Sequence, residues 1–295
     1  MGRALIVLNT AAGSATPAAI KRALDRNLGG AGWSYEILET GGERDITTMV
    51  RSTAGSAVDL YVAAGGDGTV SAVAAALLDI DRPLAIVPVG TGNLLAHELR
   101  IPLDLPAAVR LLVGEHGLRR IDALQSQERI YLLNVSVGLT AQVIQDTDRD
   151  DKRRLGRLAY VRQGLEKASG IETHAFTVDV DGQTHRLRAA EVLVLNTSAL
   201  GVADLHWQSG VRPDDGLADL FALAGRNGLD LLRALWSGLV KQPVPDRVTQ
   251  HWAIERTVAI DTDPPLAVQA DGDIIGQTPV EIRVLPRALR IVVPA

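Results

Sequence analysis

The chain has 295 residues, a size that predicts one large or two medium domains, and we expect two. Its 30 basic and 35 acidic residues leave a formal charge of -5, which disfavours nucleic acid as a partner. The absence of cysteine excludes disulfides, cysteine-ligated zinc and thiol catalysis, and it favours a cytoplasmic location. We expect no transmembrane segment, because no apolar run approaches the roughly 18 residues of a membrane span.

The first half of the chain alternates short apolar runs with helical patterns, as a parallel sheet with crossover helices requires. In chain order, the pattern predicts a strand at 3–9, a helix that begins at Pro17 after the N-cap residue Thr16, a strand at 34–38, a helix at 45–55 capped by Asp45, a strand at 58–64, a helix at 69–79, a strand at 84–89 and a helical stretch ending near Gly114. Residues 1–122 are therefore predicted to form an α/β nucleotide-binding domain.

From about residue 123 the pattern changes to strands separated by turns. The β-rich segments are 129–137, 175–198, 217–223, 250–262, 266–273 and 278–294, and an amphipathic helix is predicted at 228–242. Within them, Asp181-Gly182 is a strong hairpin signal. Residues 123–295 are therefore predicted to form a mostly antiparallel, sandwich-like domain whose last strand is able to pack back on the first domain. A cleft between the two domains is a common place for a ligand site.

The segment "AAGGDGT" (63–69) lies where a predicted strand ends and a helix begins. Glycines allow the backbone to approach a phosphate closely, and the N–H groups at a helix start are donors for an anion. The segment lacks the third glycine of a dinucleotide fingerprint, because Ser71 stands there, and the chain has no P-loop sequence. A tight turn and a phosphate-binding loop are both open interpretations at this point.

Two further glycine turns follow buried strands, "PVGTGN" (88–93) and "NTAAG" (9–13). The carboxyl ends of parallel strands meet at one edge of a sheet, and open α/β folds bind ligands at that edge. Three such turns at one edge predict a nucleotide site.

The pairing of "GGDGT" (65–69) with "PVGTGNLLAHEL" (88–99) resembles the diacylglycerol kinase catalytic-domain family. This family includes bacterial diacylglycerol and related lipid kinases, sphingosine kinases and, distantly, NAD kinases. The likeness continues through 134–143, 152–161, 212–223 and 268–294, so it covers almost the whole chain. It implies an ATP- and magnesium-dependent lipid kinase that phosphorylates a hydroxyl of diacylglycerol or a related membrane lipid.

The resemblance also implies site residues, position by position. The residues around ATP would be Asn9, Gly13, Thr40, Gly65, Gly66, Asp67, Gly68, Thr69, Val70, Ser71, Thr91, Gly92 and Asn93. Asp67 would join a magnesium and water network, where the charge of the cation makes a carboxylate useful beside phosphate. The metal ligand would be Asp215, with the backbone carbonyls of Arg212 and Leu217. Without the resemblance, Asp215-Gly216 is better interpreted as a plain turn, and Asp214 is a second carboxylate directly beside it.

The catalytic base of the family matches the segment "ADGDI", in which Asp271 and Asp273 are the corresponding residues. Asp273 would accept the proton of the lipid hydroxyl, at a position where the family has glutamate. The shorter side chain would set the carboxylate back by about one bond, which matters where about 1 Å affects the rate. Either the backbone compensates, or Asp271 takes the role, or the enzyme is slow. A plain hairpin turn at Asp271-Gly272 is the alternative.

Two other functions stay open. The acceptor could be a sphingoid base, phosphatidylglycerol or a soluble NAD-like molecule, or the chain could be a nucleotide-binding regulatory protein that has lost catalysis. A basic run at 152–162 fits either a solvated helix face or a contact with anionic lipid. We expect a cytoplasmic protein that meets its lipid substrate by transient, peripheral membrane association, and a homodimer is plausible.

Overall fold

The computed structural model describes residues 2–11, 13, 15–41, 45–53, 56–146, 172–198, 210–224 and 249–295. The predicted helix at 228–242 and the basic run at 152–162 lie outside these ranges. The chain forms two units: Met1–Ile121 with Arg287–Ala295, called the first unit, and Asp122–Pro286, called the second unit. Across the described ranges, every helix is too short or too polar to cross a membrane.

The first unit alternates strands and helices, as predicted. Its elements are β1 (Arg3–Asn9), α1 (Pro17–Leu24) with a π-helical turn at Asp25–Gly29, β2 (Ser34–Thr40), α2 (Ile46–Arg51), β3 (Leu60–Gly65), α3 (Asp67–Leu77), β4 (Leu84–Pro88), α4 (Leu94–Glu98), α5 (Leu105–Leu111) and the start of β5 (His116–Ser126). The predicted caps are confirmed, because Thr16 and Asp45 accept the N–H groups of Ala19 and Thr48. β5 was not predicted, since its first half is mostly polar and exposed.

The strands of the first unit form a parallel sheet in the order β2-β1-β3-β4. Leu84 of β4 pairs in parallel with Ile291 near the end of the chain. Every residue of β3 and β4 is buried. On one face of the sheet, Val62 of β3 belongs to a core that also contains Ile20 and Leu24 of α1. The predicted α/β architecture with buried parallel strands is confirmed.

The second unit is mostly antiparallel. After β5 come β6 (Arg129–Tyr131), β7 (Asn134–Gly138), α6 (Leu139–Asp146), β8 (His174–Val180), β9 (Gln183–Ala189), β10 (Glu191–Leu195), β11 (Ala218–Leu223), β12 (Thr249–Ile254), β13 (Thr257–Thr262), β14 (Ala267–Ala270), β15 (Asp273–Gln277) and β16 (Val280–Pro294). One sheet has the order β12-β11-β10-β7-β14-β15, and the first half of β16 pairs with β13, which is followed by β8 and β9. One hydrophobic core contains side chains of both sheets, among them Val194, Leu220, Phe176 and Ile260. This confirms a sandwich-like fold.

The predicted hairpin at Asp181-Gly182 joins β8 to β9 and is confirmed. Both turn residues have positive φ values, 51° and 91°, as a two-residue type I′ turn requires. The Asp181 carboxylate accepts the N–H groups of Glu255, Arg256 and Thr257 at 2.7–2.9 Å. These bonds hold the turn between β12 and β13, which divides the segment predicted at 250–262.

The strand predicted at 129–137 is wrong in one respect, because the structure divides it into β6 and β7 at Leu132-Leu133. Side chains bind the backbone of these two residues. The carboxylate of Asp271 accepts both N–H groups, and the Asn196 side chain donates to the carbonyl of Leu132. The apolar pattern predicted a continuous strand because neither partner is near in sequence.

Candidate functional site

Three loops follow β1, β3 and β4 at the carboxyl edge of the first unit's sheet. The strand order β2-β1-β3-β4 places the topological switch between β1 and β3, where open α/β sheets bind ligands. β1 ends at Asn9 and β3 ends at Gly65, so two of the predicted loops begin at this switch. The third begins after Pro88, at the end of the neighbouring strand β4.

The "GGDGT" loop becomes a helix almost at once. Gly66 is the N-cap residue of α3, and its carbonyl accepts the N–H groups of Thr69 and Val70 at 2.9 and 3.1 Å. A helix offers no internal partner to the first N–H groups, so those of Asp67 and Gly68 are donors for an anion. The helix dipole favours negative charge at the same point.

The three loops touch through glycine. A Cβ atom on Gly90 would lie 2.3 Å from the Cα atom of Gly66, and one on Gly13 would lie 1.5 Å from the carbonyl oxygen of Val89. Gly13 also has a φ of 98°, which disfavours any side chain. The close approach of the backbones therefore depends on these glycines.

Asp67 joins the second loop to the third. Its Oδ1 atom accepts a hydrogen bond from the backbone N–H of Leu95 at 3.2 Å. Leu95 lies in the first turn of α4, where N–H groups need an external partner. Asp67, half-buried at the start of α3, therefore also caps α4. The sequence did not predict this contact, since 28 residues separate the two.

Two asparagines fix the other loops. Asn9 donates through Nδ2 to the Thr69 hydroxyl at 3.1 Å and accepts the N–H of Ala11 at 3.0 Å. Asn93 has a φ of 52° and closes a small ring with Gly90, accepting its N–H at 3.0 Å and donating to its carbonyl at 2.8 Å. The first asparagine links loop one to α3, and the second shapes the start of α4.

The other expected ATP residues differ in exposure. Thr40 is buried at the end of β2, and its carbonyl accepts the N–H of Thr10 at 3.1 Å. Val70 is buried too, and its N–H already donates within α3. Ser71 and Gly92 are half-buried, while Thr91 is exposed. The structure thus brings the three loops together and leaves Val70 in the core.

In the second unit, the "ADGDI" segment is a hairpin. Ala270 of β14 pairs with Asp273, the first residue of β15, across the two-residue turn Asp271-Gly272. The turn has φ values of 48° and 94°, as at the β8–β9 hairpin. The side chain of Asp273 is exposed. The hairpin interpretation of this segment is therefore confirmed.

The Asp271 carboxylate binds backbone. It accepts the N–H groups of Leu132, Leu133 and Asn134 at 2.9–3.1 Å. This repeats the arrangement at the β8–β9 hairpin, where the first aspartate of the turn also accepts three consecutive N–H groups. Burial raises the pKa of Tyr131. The negative charges of Asp271 and Asp273 raise it further, whereas Arg129 lowers it.

The expected metal turn precedes β11. Asp215 is exposed, and its Oδ1 atom accepts the N–H of Leu217 at 3.1 Å. The neighbouring Asp214 lies 3.2 Å from the Arg212 guanidinium. Among the described residues, no three acidic or histidine side chains gather as a metal cluster. The exposed Asp215 carboxylate is an oxygen donor of the kind that magnesium binds, with water completing its coordination.

Sequence reasoning missed Asp122, which is fully buried. Its N–H donates to the carbonyl of Pro213 at 2.6 Å, and its Oδ2 atom accepts the N–H of Gly216 at 2.8 Å. Asp122 thus supports the turn that contains Asp215. The available signal was a single carboxylate inside the run "IDAL" (121–124), since buried charges need partners.

Comparison with known proteins gives matches along the chain. Residues 3–126 match the model of the diacylglycerol kinase catalytic domain, and residues 133–293 match that of the YegS C-terminal NAD kinase beta sandwich-like domain. An uncharacterized protein of Synechocystis is 30% identical over 270 residues, which cover 88% of this chain and 62% of that protein. The diacylglycerol kinase of Bacillus subtilis is 28% identical over 272 residues, 90% of this chain and 87% of that enzyme.

A solved structure has the same fold. It is a Bacillus anthracis protein assigned to the diacylglycerol kinases, with a TM-score of 0.84 and 25% identity, and the match covers 99% of this chain and 95% of that one. The two domain models match residues in both units, and the three glycine loops of the first unit lie within the match to the catalytic domain. The chain therefore belongs to the diacylglycerol kinase catalytic-domain family, with a YegS-type C-terminal domain.

Proposed function

We propose that this chain transfers the γ-phosphoryl group of ATP, with magnesium, to a hydroxyl of diacylglycerol or a related membrane lipid. Membership of the family makes the chain a phosphotransferase with an alcohol group as acceptor, of the lipid kinase type. The observation that carries the proposal is the junction of three glycine loops around the start of α3, at the switch point of a parallel sheet. Such a junction suits a polyphosphate.

The first unit would bind ATP. The N–H groups of Asp67 and Gly68 would contact phosphate at the start of α3. Asn9, Thr69 and Asn93 belong to the loops that meet there. Each side chain makes a hydrogen bond within or between those loops. Most of the other residues that the resemblance implies would contribute to the ATP site through their backbone.

Magnesium would be held by oxygen atoms. Asp215 with the carbonyls of Arg212 and Leu217 would form one site, and Asp67 would act through water beside the phosphates. When bound, the cation supplies positive charge against the developing charge of the transferred group. A donor set of one carboxylate, backbone carbonyls and water contains only oxygen, the ligand atom that magnesium prefers.

Asp273 would be the general base. The acceptor hydroxyl oxygen forms a bond to the γ-phosphorus as the bond to the ADP oxygen breaks, and the hydroxyl proton passes to the Asp273 carboxylate. Asp273 is favoured over Asp271 because three backbone N–H groups already bind the Asp271 carboxylate. Asp273, in contrast, is exposed at the start of β15.

Because the acceptor is a membrane lipid, the proposal includes transient, peripheral contact with a membrane surface. A homodimer stays a prediction. The shorter side chain at 273 keeps one other function open, a nucleotide-binding regulatory protein without turnover.

The test is transfer of radiolabelled γ-phosphate by the purified protein to an acceptor panel. Mixed micelles carry diacylglycerol, sphingosine or phosphatidylglycerol, NAD is tested in solution, and one arm replaces magnesium with a chelator. We expect magnesium-dependent label in diacylglycerol or a related lipid. Label in NAD alone would show that the acceptor is a soluble molecule. Tight ATP binding without any labelled product would support the regulatory function.

A further inference from the structure

Asn196 follows β10 and is fully buried. Its Nδ2 group donates two hydrogen bonds, one to the carbonyl of Asp122 at 3.0 Å and one to the carbonyl of Leu132 at 2.8 Å. The two acceptors lie 74 and 64 residues from Asn196 in sequence, one in β5 and the other in the bend between β6 and β7. One buried amide therefore holds two separate backbone segments at a fixed spacing.

The first segment supports the Asp215 turn. Asp122 donates its N–H to Pro213 at 2.6 Å and accepts the N–H of Gly216 at 2.8 Å, so its two contacts bracket Asp215. The carbonyl of the same residue accepts from Asn196. A shift of Asp122 would therefore move the turn.

The second segment supports the hairpin that carries Asp273. The N–H groups of Leu132 and Leu133 bind the Asp271 carboxylate, at 2.9 and 3.0 Å. The carbonyl of Leu133 accepts the backbone N–H of Asn196 at 2.9 Å. The N–H groups of the bend thus donate hydrogen bonds to the hairpin, and its carbonyls accept hydrogen bonds from Asn196.

We propose that Asn196 is a positioning residue that sets the place of the Asp215 turn relative to the Asp273 hairpin. The inference rests on the proposed function, which gives these two turns the metal and the base. A displacement of about 1 Å in such groups can lower a rate by as much as a hundredfold. No contact of Asn196 itself with substrate is required.

The next residue provides a matched control. Thr197 is also fully buried, and its hydroxyl has no hydrogen-bond partner within the described part of the chain. Thr197→Val keeps the shape and removes only that hydroxyl, so we expect no loss of stability or rate. Asn196→Ala removes both bridging hydrogen bonds at the adjacent position.

The experiment combines two measurements on the full chain, the wild type and both variants. Amide hydrogen exchange is followed at Gly216 and at Leu132-Leu133. Transfer from ATP to diacylglycerol micelles gives kcat, KM for ATP and the magnesium concentration for half-maximal rate, per folded molecule. If Asn196→Ala does not fold, Asn196→Ser, which retains one donor, takes its place.

We expect Asn196→Ala to speed exchange at both ends of the bridge, to lower kcat by about tenfold or more and to raise the magnesium requirement, with little change in KM for ATP. Thr197→Val should change none of these. Faster exchange at one end only, or a wild-type kcat in the folded variant, would overturn the inference. A wild type that phosphorylates no lipid would instead remove the proposed function, and the exchange rates would still decide whether the bridge exists.

Discussion

The carboxylate of Asp67 and the backbone N–H of Leu95 form a 3.2 Å hydrogen bond that joins the starts of two helices. The bond links α3, which begins at the end of β3, with α4, which follows β4. Asp67 thus has two separable roles, a structural one as the cap of α4 and a proposed one beside magnesium and phosphate.

Asp67→Asn should separate these roles. The asparagine oxygen can still accept the Leu95 N–H, so we expect the free energy of unfolding to fall by less than about 1 kcal/mol. Turnover should fall by about tenfold or more, since the carboxylate charge beside magnesium is lost. Asp67→Ala should lose the cap as well. Thermal unfolding and initial rates measure both effects, and an Asn variant of wild-type activity would remove Asp67 from the mechanism.

Gly90→Ala should damage the junction of the loops. The new Cβ would lie 2.3 Å from the Cα atom of Gly66, so the backbones must separate, at a cost of about 1–3 kcal/mol. We expect a lower melting temperature and a KM for ATP raised by about tenfold. Gly29→Ala is the control, because nothing lies within 4 Å of the added carbon. Equal effects of the two substitutions would show that the close approach is not required.

The periodicity of the sequence predicted most of the strands and helices, because local patterns determine them, but it missed β5 and did not divide the strand predicted at 129–137. Buried apolar runs gave β3 and β4, and the residue pair Asp181-Gly182 gave a hairpin through its turn geometry. The resemblance gave the family, which the domain models confirm. Such features depend on neighbouring residues alone and need no long-range contacts.

Contacts between residues distant in sequence were not predictable. The bend at Leu132-Leu133 exists because Asp271 and Asn196 bind its backbone, and each lies more than 60 residues away. Asp67 and Leu95 are a second case. A polar residue in an apolar run, such as Asp122, is the only sequence signal of such a contact. It indicates that a partner is needed but does not identify that partner.

Asp181 should make stability fall in acid. Burial favours the neutral carboxyl group, but hydrogen bonds from three N–H groups outweigh this and hold the pKa of Asp181 below its usual 3.8. Its contribution is therefore present above pH 3.8 and is lost as the pH falls through the lowered pKa. Asp181→Asn should be less stable than wild type near neutrality, and the gap should narrow in acid. Melting temperatures across this range measure it, and a constant gap would contradict the prediction.

Glu191 should make the stability of the protein fall as the pH rises. Burial raises its pKa to about 7, against the hydrogen bond from the Thr140 N–H, so the folded state holds a proton that the unfolded chain releases above its usual pKa of 4.5. The contribution of this group is complete below pH 4.5 and is lost as the pH rises to about 7. The loss is on the order of 3 kcal/mol.

Glu191→Gln removes this titration. We expect the stability of the variant relative to wild type to increase with pH between 4.5 and 7 and to level off above. Denaturant unfolding at several pH values measures the difference. Parallel stability curves for the two proteins would show that Glu191 stays charged in the folded state.

The proposed role of Asp273 as the general base leads to a direct test. The measurement is the initial rate of γ-phosphate transfer from ATP to diacylglycerol by wild type, Asp273→Asn and Asp273→Glu, with Asp79→Asn as a control of the same charge at a side chain that is 81% exposed. We predict a loss of about a hundredfold or more in Asp273→Asn, as for a general base, and retained activity in Asp273→Glu and in the control. A rate in Asp273→Asn within about twofold of wild type would show that Asp273 is not the general base.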